Sequence, residues 1–217
     1  MKPIRSSDSN VPKAVVNRMS LYLRELQQLM RAGTETISSS KLGRRLGVTD
    51  AQVRKDIGYF GQFGYPGIGY RIDELVTEIK RILGTDKTWP VAMVGCGNLG
   101  QALLGYQGFH KQGFRLVAAF DTSPELVGEK FGTLTIQNIL DTAETLPRLD
   151  IRLAILAVPA NSASKAVDVL VEAGIVGILN FAPVTLNPPN HVSVIGVDLA
   201  MEMEQLAFAV VKKANKQ

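Results

Sequence analysis

Residues 91–105 read VAMVGCGNLGQALLG, with Gly95, Gly97 and Gly100 in the spacing G-x-G-x-x-G. An apolar run precedes them and a helix-forming stretch follows, the context in which three glycines bind a dinucleotide. Gly95 lets the chain turn out of a strand, Gly97 lets backbone N–H groups approach a pyrophosphate, and Gly100 lets the helix pack against the sheet. The helix N-terminus, around Asn98 and Leu99, then offers unsatisfied N–H groups to the phosphates. Asp121 ends the next apolar run, LVAAFD, 21 residues after Gly100. A carboxylate there accepts both ribose hydroxyls of an adenosine and repels a 2′-phosphate. FDTSPE holds no Lys or Arg, so NAD(H) is expected over NADP(H). The alternative is a strand-end aspartate that caps a turn. Two later loops, AVPANS (157–162) and NFAPVT (180–185), follow apolar runs and are expected to line the nicotinamide side. They supply Val158, Pro159, Asn180, Phe181, Ala182 and Pro183 to the cofactor set, with Cys96 inside the first loop.

Residues that would turn a bound cofactor over are scarce. A hydride-transfer enzyme needs an acid or base beside the nicotinamide and an anchor for substrate. The two histidines, His110 and His191, stand in loop-like stretches with no carboxylate close in sequence. Tyr106 and Lys111 are five residues apart, which does not place them together on a helix. No Ser/His/Asp arrangement or metal-ligand spacing is evident, so no catalytic residue and no metal are expected. Cys96 near a helix N-terminus suggests a lowered thiol pKa, with a small apolar filler as the alternative. The cofactor is expected to be bound and not turned over.

These residues need a scaffold. From residue 86 onward, apolar runs at 91–94, 116–120, 153–158, 176–179 and 192–197 alternate with helical or looping segments at 99–111, 137–143, 162–173 and 198–213. Near-continuous apolar strands separated by helices predict a doubly wound α/β domain with a parallel sheet buried on both faces. The chain has 217 residues, 46% hydrophobic and 20% charged, an ordinary globular composition. No apolar run reaches the ~20 residues of a membrane span, and MKPIRSSDSNVPKAVV lacks the apolar core of a signal peptide. A single cysteine excludes an internal disulfide. A cytoplasmic location is expected, and residues 1–12 read as a polar, disordered lead.

Charge divides the chain. Residues 1–85 carry 14 Lys/Arg against 8 Asp/Glu, and residues 86–217 carry 10 against 12. The polar stretch GTDKTWP (84–90) separates the two. In the basic front part, NRMSLYLRELQQLMRAG (17–33) repeats apolar residues at helical spacing and stops at Gly33. A short segment, SSSKLGRRLG (38–47), and VTDAQVRKDIGYFG (48–61) follow, joined by a turn of helix-turn-helix length. Thr49 and Gln52 have capping-box spacing. At 100° per residue Val53, Ile57 and Phe60 share an inward face, while Ala51, Arg54, Lys55 and Gly58 face out. Two cations, a methyl for thymine and a glycine for close approach suit a major-groove helix. FGQFGYPGIGYRI (60–72) reads as a hairpin wing tipped near Pro66–Gly67, with Arg71 available to a phosphate, and a helix over 73–84 leads out. The front domain is a winged helix-turn-helix.

The sequence resembles the Rex family of redox-sensing transcriptional repressors from about residue 13 to 211. QVRKDIGYFGQFG (52–64), GIGY (67–70), VGCGNLGQAL (94–103), GILNFAPV (177–184) and VDLAMEMEQLAF (197–208) carry the resemblance. It implies a bacterial regulator that binds a palindromic operator in double-stranded DNA with NAD+ or without ligand and releases it with NADH. It implies a homodimer whose C-terminal helix swaps into the partner. The domains are then 1–85 (winged helix, DNA-binding), 86–197 (Rossmann-like, NAD(H)-binding) and 198–217 (swapped helix). The expected DNA-facing set is Ser39, Lys41, Thr49, Ala51, Gln52, Arg54, Lys55, Tyr59, Gly67, Gly69, Tyr70 and Arg71. The family's coupling network maps onto Arg24, Tyr106 and Asp198. Two positions depart from its pattern. Position 199 is Leu where an aromatic residue is common, and Tyr65–Pro66 stand where a Lys or Arg commonly precedes the wing's GxGY. Two rival readings remain open on the residues alone. One is a small NAD-dependent oxidoreductase whose front domain only dimerises, and the other is a CoA- or nucleotide-binding module.

Overall fold

The computed structural model describes residues 11–214. Most of the expected disordered lead, residues 1–10, lies outside the described residues. The chain forms two compact units, residues 1–87 and 88–217.

The first unit begins with α1 (Lys13–Arg31), which buries Met19, Tyr22, Leu23 and Leu26. It stops as expected near Gly33, whose φ of +76° only glycine adopts freely. A two-residue strand, β1 (Thr36–Ile37), precedes α2 (Ser39–Leu46) and α3 (Asp50–Gly58). Ser38 caps α2 through the Lys41 N–H, and Gly47 ends it in the left-handed region at φ +69°. The turn is tight because Gly43 has no side chain, since a Cβ there would stand 2.5 Å from the Val48 carbonyl. The wing follows as β2 (Gly64–Tyr65) and β3 (Gly69–Arg71), and α4 (Ile72–Leu83) closes the unit. The wing is a three-stranded antiparallel sheet, β1-β3-β2. The sequence reading missed β1, which is too short to show a period. With a partner on each side, β3 turns Tyr70 inward.

The second unit holds β4 (Trp89–Val94), α5 (Asn98–Leu104), α6 (Gln107–Lys111), β5 (Phe114–Asp121), β6 (Lys130–Phe131) and β7 (Leu134–Asn138). It continues with α7 (Thr142–Arg148), β8 (Leu153–Leu156), α8 (Ala160–Glu172), β9 (Gly177–Asn180), β10 (Ser193–Gly196) and α9 (Leu199–Ala214). The sheet order is β10-β9-β8-β4-β5-β7-β6, parallel throughout except for the β6–β7 hairpin. Without β6 this is the doubly wound order 3-2-1-4-5-6, which reverses between β4 and β8, where such sheets bind ligands. A bulge at Val117 switches the side-chain phase of β5, because Val91 pairs with Leu116 and Ala92 with Ala118.

Two differences from the sequence reading have local causes. Residues 137–143, read as helix or loop, are the end of β7, a 3-10 turn and the start of α7. Asn138 and Asp141 exchange side chain-to-backbone hydrogen bonds there and force the turn. The sheet is also not buried on both faces along its length. Helices α7 and α8 cover one face and build the core around Phe120, Leu156 and Ile178. On the other face α5 and α6 pack near β4 and β5, and an apolar groove over Leu153, Leu179 and Ile195 stays open. None of the side chains of α9 is buried.

Candidate cofactor cleft and nucleic-acid interface

The glycine loop sits at the switch point. Gly95 has φ +89°, and a Cβ there would lie 2.5 Å from the Ala157 carbonyl. A Cβ on Gly100 would meet the Gly95 carbonyl at 1.9 Å, so helix and loop are in contact that only glycine permits. A Cβ on Gly97 would meet nothing within 4 Å, so its backbone faces open space. That space is a cleft of about 640 Å³ lined by Gly95, Gly97, Asp121, Val158 and Pro159.

Asp121 makes the turn cap that the sequence reading gave as the alternative to ribose binding, and it makes a second contact besides. Its Oδ1 accepts the N–H groups of Thr122 (2.7 Å) and Ser123 (2.9 Å), a turn cap. Its Oδ2 accepts the Cys96 N–H at 2.6 Å, which ties the glycine loop to the end of β5. Asp121 also lines the cleft.

The other expected cofactor residues divide. Asn98 and Leu99 are exposed at the start of α5. Asn180 is buried, and its amide accepts the Ala182 N–H and donates to the carbonyls of Ala182 and Val184, shaping its own loop. Ala182 is 6% exposed and belongs to the core under α8, so the expectation that it contacts ligand is corrected. Phe181 and Pro183 keep exposed surface. Cys96 is fully buried. Burial, and then the Asp121 charge, push its thiol up to about 12, opposite to the lowered pKa a helix N-terminus suggested. The thiol is a core filler. A maleimide is expected to leave the native protein unlabelled at pH 7 and to label it once unfolded. Rapid labelling of the native protein would overturn this.

Sequence reasoning missed Thr122, Leu126, Ile139 and Lys165 in the cleft lining, while Asn161 and Ser162 fall in the AVPANS stretch it did expect there. The helix α8 starts at Ala160, inside the stretch read as a loop. Ser162, Lys165 and Val169 then fall on one face by helical spacing.

In the first unit Val53 and Ile57 are buried, and Ala51, Arg54, Lys55 and Gly58 are exposed. Thr49 caps α3 through the Gln52 N–H at 3.1 Å. The reciprocal half of the capping box is not made, because the Gln52 side chain donates instead to Asp56 at 2.6 Å. Arg54 donates to Asp50 at 2.7 Å and to Ser39 at 3.1 Å, which fixes its guanidinium across α2 and α3. Lys41, Lys55 and Tyr59 are exposed. In the wing Gly67 is exposed at the turn with φ +76°, and Gly69 passes so close to β1 that a Cβ would lie 2.5 Å from the Ile37 carbonyl. Arg71 pairs with Glu74 of α4 at 3.2 Å, so its charge is partly answered within its own chain. Tyr70 is 6% exposed and packs in the core, so it leaves the expected DNA-facing set.

Beneath α3, Asp56 is fully buried, and the sequence reading passed over it. Arg18 of α1 donates to both of its oxygens, at 2.5 and 2.8 Å, and the Tyr22 hydroxyl donates at 2.7 Å. Burial alone would raise the Asp56 pKa, but the hydrogen bonds from Arg18, Tyr22 and Gln52 outweigh it and hold the carboxyl low. The pairing therefore stabilises the fold above the ordinary aspartate pKa and is lost as pH falls through the lowered value.

Of the three coupling residues, Arg24 is exposed on α1. Tyr106 is 58% exposed with its ring edge-on to Phe109 at 5.1 Å. The Asp198 carboxylate accepts the Ala200 and Met201 N–H groups at the start of α9.

A family model described as CoA binding domain matches residues 86–184, and one described as Putative DNA-binding protein N-terminus matches residues 10–57. A redox-sensing transcriptional repressor Rex of Chloroflexus aurantiacus is 44% identical over 202 residues, 93% of this chain and 95% of the relative. The protein of the same description from Pelotomaculum thermopropionicum is 41% identical over 206 residues, 95% and 97% of the two chains. Among solved structures, RSP in complex with beta-NAD+ and operator DNA aligns with a TM-score of 0.90 at 35% identity, covering 95% of both chains. RSP in complex with beta-NADH aligns with a TM-score of 0.86 at 34% identity, covering 95% of this chain and 97% of that one.

Proposed function

The chain belongs to the redox-sensing transcriptional repressor Rex family, and on that premise we propose that it is a DNA-binding repressor that reads the NADH/NAD+ ratio. The observation that carries the reading is that one chain joins a winged helix with an outward cationic α3 to a doubly wound sheet whose glycine loop opens onto a cleft. RSP has been crystallised with NAD+ and operator DNA and, separately, with NADH, which supports the same two ligands here.

In this reading the Gly97 backbone approaches the pyrophosphate, Asp121 takes the ribose hydroxyls, and Phe181 and Pro183 face the nicotinamide. NADH and NAD+ differ by a hydride and a positive charge on that ring. An apolar contact disfavours the cation, and only such differential affinity can shift the chain between its DNA-bound and free states. Each tenfold preference contributes about 1.4 kcal/mol. DNA half-sites lie about 34 Å apart or multiples of it, so a modest rotation of two α3 helices misaligns them.

Two α3 helices require a dimer. The open sheet groove and the exposed α9 are two apolar surfaces of one chain that lack a cover, and a second copy supplies it. Leu199 and Leu206 fall on one side of α9 and Met201 and Phe208 on the opposite side, as a helix inserted between two surfaces requires. Leu199, 63% exposed, is available to a partner. Arg24, Tyr106 and Asp198 are the residues through which ligand state reaches the DNA-binding units. No described helix is long and apolar enough to cross a membrane, which suits a protein working with DNA in the cytoplasm.

The oxidoreductase alternative asks for an acid or base at the nicotinamide, and both histidines lie outside the cleft lining. Fluorescence anisotropy on a palindromic operator library, with NADH and NAD+ titrated separately, tests the proposal. Release by NADH but not by NAD+ is expected. Equal effects of both, or no DNA binding, would overturn it.

A further inference from the structure

We propose that Asp56 is a positioning residue for base reading, whose buried carboxylate locks the Gln52 amide so that it presents one acceptor and one donor to an adenine. The inference rests on the DNA-binding reading of α3.

The Asp56 carboxylate receives four hydrogen bonds, two from Arg18 and one each from Tyr22 and Gln52. All of its roughly four acceptor sites are taken, and with no exposed surface it has no freedom to turn. Gln52 Nε2 donates to Asp56 Oδ1 at 2.6 Å. A glutamine amide can ordinarily exchange the places of its oxygen and nitrogen. Here the exchange would set Oε1 against a carboxylate oxygen, acceptor on acceptor, so one orientation is held. That leaves one amide N–H and Oε1 of Gln52, which make no other side-chain hydrogen bond among the described residues. A donor and an acceptor side by side match adenine N7 and N6–H₂ in the major groove. Gln52 is the third residue of α3, in the first turn, where recognition helices contact base edges. A side chain locked before binding also loses less freedom on binding.

The test measures anisotropy for wild type, Gln52→Ala, Asp56→Asn and the double variant, on the operator with each A·T pair replaced in turn and on non-specific DNA. Gln52→Ala is expected to lose a 5- to 150-fold preference at one A·T pair per half-site, the range for a bidentate contact. Asp56→Asn is expected to lose most of the preference at that same pair and to leave non-specific affinity within about twofold. The double variant should match Gln52→Ala. A loss of affinity spread evenly over all sequences, or an unchanged preference in Asp56→Asn, overturns the inference. Because Asp56→Asn also breaks the buried pair with Arg18, side-chain ¹⁵N relaxation of Gln52 in the wild-type protein provides a second measurement. An order parameter for the Gln52 side-chain amide close to that of the α3 backbone is expected, and one matching the exposed glutamine side chains overturns the lock. If wild type binds no operator DNA, the function reading fails and takes this inference with it. If wild type binds and only the Asp56 results fail, the function reading stands.

Discussion

Asp121→Ala is expected to raise the Kd for NADH by about 10- to 100-fold while leaving ligand-free DNA binding near wild type. The carboxylate sits where β5 meets the glycine loop, and its three backbone hydrogen bonds have lengths of 2.6, 2.7 and 2.9 Å. Hydrogen bonds to charged groups contribute about 1.5–3 kcal/mol each. Alanine removes the ribose contact and also the anchor of the Cys96 N–H, so the loop loses the shape that lets the Gly97 backbone approach a phosphate. One such loss carried into the binding free energy gives the stated range. Asp121→Asn separates the effects. Its oxygen still caps the Thr122–Ser123 turn, but its NH₂ faces the Cys96 N–H, donor on donor, so the loop loosens while the size is kept. It also removes the charge that opposes a 2′-phosphate, so discrimination against NADPH should fall. Calorimetry with NADH and NADPH checks both variants. An unchanged NADH affinity in Asp121→Ala would remove this residue from the cofactor site.

The glycine loop was legible in the sequence because its demands are local. Gly95 and Gly100 are needed where backbone meets backbone, and no other residue satisfies those distances. Asp121 was legible as a position but not as a set of bonds. That its carboxylate also holds the glycine loop depends on Cys96, 25 residues earlier in the chain. Asp56 was missed for the same reason in stronger form, since its partners Arg18 and Tyr22 are 38 and 34 residues away. A carboxylate beside Ile57 on the inward face of α3 did call for a buried cation, and that signal was available.

Tyr70 and Ala182 failed differently. Both lie in stretches whose composition suggested a surface role, the wing and a post-strand loop. Pairing of β3 on both sides turned Tyr70 into the core, and the Asn180 amide folded its loop so that Ala182 packs under α8. Side-chain direction in such short segments is decided by tertiary pairing, which two or three residues of pattern do not encode. The residues of 198–213 gave only a helical or looping segment, and the family resemblance alone implied a helix covered by a partner, because an apolar helix reads the same whether its own chain or another covers it.

The exposure of α9 leads to the largest expected effect. Leu206→Glu combined with Phe208→Glu is expected to convert the dimer to monomers at micromolar concentration and to weaken operator binding by about 100-fold or more. Leu206 is 56% exposed and Phe208 69% exposed within their own chain. The substitutions therefore remove no packing inside a protomer, and its thermal stability as a monomer should be unaffected. In the dimer each side chain would be buried against the partner, worth about 1.5–3 kcal/mol apiece. Four such side chains per dimer correspond to about 10⁴-fold or more in the dimerisation constant, and burial of glutamates adds to it. The two residues lie on opposite sides of α9, so a helix resting on a single surface would tolerate one of the single variants. A helix inserted between two surfaces should be harmed by both. Monomers engage one half-site at a time and lose the effective concentration that joins the two, which weakens operator binding by orders of magnitude without any change in α3. Sedimentation velocity and operator anisotropy on the single and double variants check this. A double variant that remains a dimer with wild-type operator affinity would show that α9 is not the element joining the protomers.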